Sequence, residues 1–139
     1  MRTLGVDYGE KRVGLALSDP EGRVAVPLAT LERRGERGLV RHLARLCHAE
    51  GVERIVVGQP LGDDGTAGPA AQRTARFAAT LARVTGLPCR MVDERLTSHE
   101  AEERLRAAGV GPRRRRAAID SMAAQILLQE ALDTEGRSS

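Results

Sequence analysis

The sequence predicts an α/β fold: a five-stranded mixed sheet, made of an antiparallel three-strand meander plus two parallel strands, with helices on both faces. Three observations carry this. Residues 2–30 hold three short apolar runs separated by tight turn signals, the pattern of a meander. The apolar period then changes to helical spacing. Two further apolar runs alternate with helical segments, as strand–helix–strand crossovers require.

The elements follow in order. Residues 2–8 alternate weakly and read as the first strand, closed by the turn Gly9-Glu10-Lys11. Residues 12–18 form the second strand, and Asp19-Pro20-Glu21-Gly22 is a strong turn signal. Residues 23–30 make the third strand, where Pro27 lacks an N–H and so argues for a sheet edge. Leu39, Val40, Leu43, Leu46 and Cys47 recur at helical spacing, and Gly51 ends that helix. Residues 54–58 are a short buried strand, and residues 70–84 a second helix ended by Gly86 and Pro88. Residues 89–92 are the fifth strand. Thr97 and Glu100 have the spacing of a capping box, which starts a helix that stops at Gly109. A last helix runs from about Arg113 to Asp133. Strands and helices in this succession have the ribonuclease H-like order.

At 139 residues, a single domain over residues 1–133 is expected, followed by a flexible tail at 134–139. A hydrophobic fraction of 41% supports a real core. The sequence contains no apolar stretch long enough for a membrane span, and the start lacks a signal peptide's apolar region, so a cytoplasmic location is expected. Cys47 and Cys89 stand far apart and read as small packing residues. His42, His48 and His99 show no metal-ligand spacing. The net charge is +3, and the run Arg113-Arg114-Arg115-Arg116 alone accounts for the excess of cations.

Acids on three elements then stand out. Asp7 ends the first strand, and Asp93 and Glu94 end the fifth. Asp120 shares a helical face with Ala123, Ala124, Leu127 and Ala131, which turns it toward the sheet. Taken singly, an acid at a strand end is commonly a turn or cap residue. Together, in this order of elements, they converge at one end of the sheet. Gathered carboxylates raise each other's pKa, and a divalent cation removes that conflict. Hard oxygen donors suit magnesium, which keeps waters for substrate phosphates.

Four stretches, "VDYGEKRVGLALSD", "VVGQPLGDDGTAG", "DERLTS" and "IDSMAAQILLQ", together resemble the YqgF/RuvX family over nearly the whole chain. That resemblance implies a ribonuclease H-like nuclease, linked to 5′ maturation of pre-16S ribosomal RNA and, by analogy, to Holliday-junction cleavage. It places the catalytic, metal-holding acids on Asp7, Glu94 and Asp120, with Mg2+ or Mn2+, two ions, as cofactor. Asp93 is the less favoured partner, because adjacent strand residues point to opposite faces. In this reading Gly5 and Gly9 leave room for a nucleic-acid backbone.

Phosphate contacts are expected from Lys11, Arg12 and Arg113, Arg114, Arg115 and Arg116. The loop from Gly58 to Gly68 offers backbone N–H groups to phosphates. Tyr8 and Phe77 are the only aromatic residues, so base stacking explains little of any binding. The expected partner is structured RNA or branched DNA, and the reading leaves room for a homodimer and for ribosome-assembly partners. Two other classes compete. Actin-like ATPases and sugar kinases also open with Asp-x-Gly on a hairpin, but they need two such domains. A non-catalytic nucleic-acid-binding module would keep the fold without the chemistry.

Overall fold

The computed structural model describes residues 1–61, 64–94 and 103–138, and for residues 116–121 and 136–138 the backbone alone. Strands β1 (Thr3–Tyr8), β2 (Arg12–Ser18) and β3 (Ala25–Glu32) form the meander. Helix α1 (Glu36–Glu50), strand β4 (Arg54–Gln59), helix α2 (Pro69–Thr85) and strand β5 (Cys89–Asp93) follow. Residues 103–107 form α3, and α4 spans Pro112–Ser138. The sheet order is β3-β2-β1-β4-β5. The β1–β2 and β2–β3 pairs are antiparallel, whereas β1–β4 and β4–β5 are parallel. This is the expected five-stranded mixed sheet.

Each face of the sheet has its own core. Leu4, Val6, Val13, Leu15, Ile55 and Val57 pack with Leu39 and Leu43 of α1 and with Phe77 and Leu81 of α2. On the other face, Ala16, Ala25 and Val56 meet Ala124, Leu128, Ala131 and Leu132 of α4. Small residues on both sides let α4 lie close to the sheet. At Gly5 the approach is closest: a Cβ there would fall 2.9 Å from Leu128 Cβ and 3.3 Å from the Ala124 carbonyl. The expectation that Gly5 makes room for nucleic acid is therefore corrected, since α4 occupies that space.

Element ends differ from the sequence reading for visible reasons. The third strand starts at Ala25 and continues to Glu32. Its first residues are held back because Asp19 Oδ1 accepts the N–H groups of Arg23 (2.7 Å) and Val24 (2.9 Å). Those bonds to the ionised form also lower the Asp19 pKa. As Pro27 suggested, β3 is an edge. Its start is covered by α4: the Ala25 N–H donates to Gln129 Oε1 (2.9 Å) and Gln125 Nε2 donates to the Ala25 carbonyl (3.1 Å). This blunts an edge that would otherwise invite another strand.

Gly51 and Gly86 end α1 and α2 in the left-handed region, as their positions predict. Gly109, with φ +79, follows α3, and the capping box at Thr97 and Glu100 lies outside the described residues. The last helix does not stop at Asp133. It continues to Ser138, so residues 134–138 are helical and not a tail. Glu135 explains the extension: its carboxylate accepts from Arg54 and, at 3.2 Å, from Arg90, tying the last turns to β4 and β5.

Candidate active site

Asp7 is the penultimate residue of β1, paired with Gly14 across the hairpin. Strand alternation puts its side chain on the same face as Gly5, the face covered by α4. Glu94 follows β5 directly, and its N–H donates to the Gln59 carbonyl at 3.2 Å. It shares a face with Val92, which packs into the α4-side core. The two carboxyl groups, from strands separated by β4, meet in a side-chain hydrogen bond.

Gly58 forms the floor between them. A Cβ at that position would lie 2.2 Å from Glu94 Oε2 and 3.1 Å from Leu127 Cδ2. In the sequence Gly58 reads only as the end of the fourth strand and the start of a glycine-rich loop. No local signal separates a loop glycine from one that accommodates a neighbour's carboxylate, because the contact depends on β5 lying beside β4. Gly58→Ala is expected to push the Glu94 carboxylate off its place. Cleavage should fall by roughly tenfold to a hundredfold, as reacting groups are displaced by about 1 Å, while stability changes by about 1–3 kcal/mol or less. Parallel rate and melting measurements check this; full activity in the variant would mean that the Glu94 position is immaterial.

Electrostatics mark this pair. The Glu94 carboxyl is pushed up to about 9, first by burial, then by the charge and hydrogen bond of Asp7, then by the charge of Asp93. Two carboxylates so placed cannot both ionise comfortably, a conflict that a divalent cation would relieve. Asp93 is exposed and, by alternation, faces away from this pair.

The third expected acid, Asp120, lies on α4. The helix runs antiparallel to β1 and β4: Glu135 meets Arg54 at the start of β4, and Leu127 meets Gly58 near its end. Ala124 lies against Gly5. Position 120, one turn earlier, is thus carried toward the carboxyl ends of β1 and β4. Its side chain lies outside the described residues. Among the described residues, no three His, Cys, Asp or Glu side chains form a metal-binding group.

The expected phosphate contacts divide. Lys11 is exposed and Arg12 half-buried at the tip of the β1–β2 hairpin, beside the carboxyl end of β1. Arg113 and Arg114 are exposed on the first turn of α4, whereas the Arg115 guanidinium donates to the Val110 carbonyl at 3.0 Å. The Arg116 side chain is outside the described residues. In the glycine-rich loop, Asp64 Oδ1 accepts from the Thr66 N–H (3.0 Å) and hydroxyl (2.7 Å), while residues 62 and 63 are outside the described residues. Tyr8 and Phe77 stack on each other with centroids 4.0 Å apart, both buried, so neither ring is offered to a base. Among the described residues, no helix is long and apolar enough to cross a membrane.

Comparison with known proteins places the chain in a family. Residues 1–134 match the model of the RuvX family, described as Holliday junction resolvase. A protein of Syntrophus aciditrophicus named "Putative pre-16S rRNA nuclease" is 47% identical over 133 residues, covering 96% of this chain and 89% of that protein. One of the same name from Anaeromyxobacter dehalogenans is 47% identical over 133 residues, covering 96% of this chain and 97% of its own. Among solved structures, T. thermophilus RuvC in complex with Holliday junction substrate superposes with a TM-score of 0.62 at 14% identity, covering 100% of this chain and 98% of that one. The fowlpox virus Holliday junction resolvase gives 0.59 at 14% identity, covering 96% and 99%. At these identities the two structures speak to the fold, which is that of ribonuclease H-like resolvases.

Proposed function

Because the chain belongs to the RuvX family, we propose that it is a metal-dependent endonuclease that hydrolyses phosphodiester bonds in structured nucleic acid, with 5′ maturation of pre-16S ribosomal RNA as its role in the cytoplasm. The observation that carries this reading is the Asp7–Glu94 carboxyl pair at the end of the sheet, where burial and the neighbouring Asp7 charge push the Glu94 pKa up. The names of the curated relatives support the ribosomal substrate.

The donor set fits a hard divalent ion. Asp7, Glu94 and Asp120 would hold Mg2+ or Mn2+, two ions in all, with carboxylate oxygens as ligands. Bound there, the ions supply Lewis-acid stabilisation of charge developing on the phosphate oxygens. The protein's own part is placement. β1 holds Asp7 by strand pairing, the missing side chain of Gly58 leaves room for the Glu94 carboxyl, and α4 packs against this face of the sheet. Lys11 and Arg12 present cations to the flanking backbone. A cleavage assay of precursor ribosomal RNA against a branched DNA junction, with and without magnesium or manganese, tests the reading. Metal-dependent RNA cleavage is expected; preferential junction cleavage would move the substrate to branched DNA, and no cleavage of either would leave a binding module.

The arginine run supports binding through its position. The first turn of α4 carries no acid, so these cations sit at the positive end of the helix dipole. That placement is unfavourable alone and is relieved by a phosphate. Replacing Arg113 to Arg116 by alanine should weaken binding and shrink the salt slope by roughly 0.7 to 0.9 for each phosphate no longer neutralised. With Arg115 engaged by Val110, the change should fall short of four phosphates. The effect should be similar across sequences, because phosphate contacts position the protein and do not read bases. An unchanged slope would make the run a solvated face.

A further inference from the structure

We propose that Arg33, which follows β3, is a positioning residue: its guanidinium clamps the β1–β2 turn so that Lys11 and Arg12 meet the nucleic-acid backbone. The inference rests on the nucleic-acid reading above, and three contacts carry it. Arg33 Cζ lies 4.1 Å from the centroid of the Tyr8 ring, a cation–π contact. Its Nη1 donates to the Gly9 carbonyl at 3.1 Å. Its backbone N–H donates to the Lys11 carbonyl at 2.9 Å.

These contacts build a three-layer stack. Phe77 of α2 lies under Tyr8 with the rings 3° from parallel, and Arg33 covers the outer face. The Tyr8 hydroxyl donates to Glu36 Oε1 at 3.4 Å, which fixes the ring's edge to α1. The turn itself closes with the Gly9 N–H on the Arg12 carbonyl at 3.0 Å. Of the residues 9–12 that make the tip, the side chain of Arg33 therefore holds the first and its backbone the third. Arg33 lies on the face of α1 and α2, opposite the Asp7 carboxylate, so it does not reach the reacting phosphate. Asp7 is held independently, by its pairing in β1. Removing the clamp should thus loosen substrate binding and spare the chemical step.

A planar guanidinium is needed both to lie flat on the ring and to reach Gly9, and lysine supplies only the charge. The test compares wild type with Arg33→Ala and Arg33→Lys. Tyr8 is the single tyrosine and the chain has no tryptophan, so the near-ultraviolet circular dichroism band of tyrosine reads the stack directly. Binding is read by fluorescence anisotropy of labelled precursor ribosomal RNA in EDTA, and kcat and KM in magnesium.

In Arg33→Ala the tyrosine band should weaken. Kd and KM should rise by roughly five- to tenfold, the scale of one cation–π interaction and one hydrogen bond, and kcat should stay within about twofold. The salt slope should be unchanged, and Arg33→Lys should restore neither the band nor Kd. A retained band, or an unchanged Kd, overturns the clamp. Rescue of Kd by lysine, together with a reduced salt slope in the alanine variant, overturns it in favour of a direct phosphate contact. Wild type that binds no RNA would defeat the nucleic-acid reading, and with it the role proposed for the turn, while the tyrosine band would still report whether the stack exists.

Discussion

Asp7→Asn loses metal-dependent cleavage by roughly a hundredfold or more, the scale of a single electrostatic catalytic group, and keeps the fold. The substitution is nearly isosteric, so the β1 hairpin pairing to Gly14 is undisturbed. On the proposed reading, what disappears is one ligand charge at the cation site. The same change relieves Glu94 of its nearest negative neighbour, which should bring the Glu94 pKa down toward the ordinary carboxylate range. Two measurements separate the effects: steady-state cleavage in saturating magnesium or manganese, and thermal melting of the metal-free protein at neutral pH. Melting should be unchanged or higher in the variant, since a lowered Glu94 pKa reduces the cost of holding its proton at neutral pH. Cleavage at the wild-type rate would show that the metal site lies elsewhere.

The sheet and its order are readable in the sequence because strand length, tight turns and helical periodicity are local signals. Asp19-Pro20-Glu21-Gly22 marks a turn by its own chemistry, and Pro27 marks an edge because it lacks a donor. What escapes such a reading is set by contacts between distant segments. The extension of α4 beyond Asp133 depends on Glu135 reaching Arg54 and Arg90. The role of Gly5 depends on Leu128, and that of Gly58 on Glu94. The candidate site shows the same division. Placing Asp7 and Glu94 together requires only strand ends and a topology. Arg33 reads as one arginine among many, because its value comes from a ring and a carbonyl that the hairpin brings back to it.

Glu94→Gln should abolish cleavage about as severely as Asp7→Asn and should also flatten the pH dependence of stability. The folded carboxyl titrates at about 9, well above the ordinary glutamate value of 4.5. As pH rises through about 4.5 the unfolded chain releases this proton while the folded chain keeps it. The folded state then binds more protons than the unfolded state, so this group makes stability fall with rising pH until about 9, where both forms are ionised. The behaviour is opposite to that of an acid in a salt bridge. Metal-free wild type should accordingly lose several degrees of Tm over that window, and Glu94→Gln, which cannot ionise, should flatten the decline. Added magnesium should raise the wild-type Tm most at the alkaline end, where cation binding replaces a proton most easily, and should raise that of Glu94→Gln little. Asp93→Asn is the internal control, because this residue is exposed and faces away from Asp7. It should retain most of the cleavage and most of the pH slope. The reverse ranking in both readouts, with both variants folded, would transfer the ligand to Asp93 and would require β5 to present its opposite face to the metal.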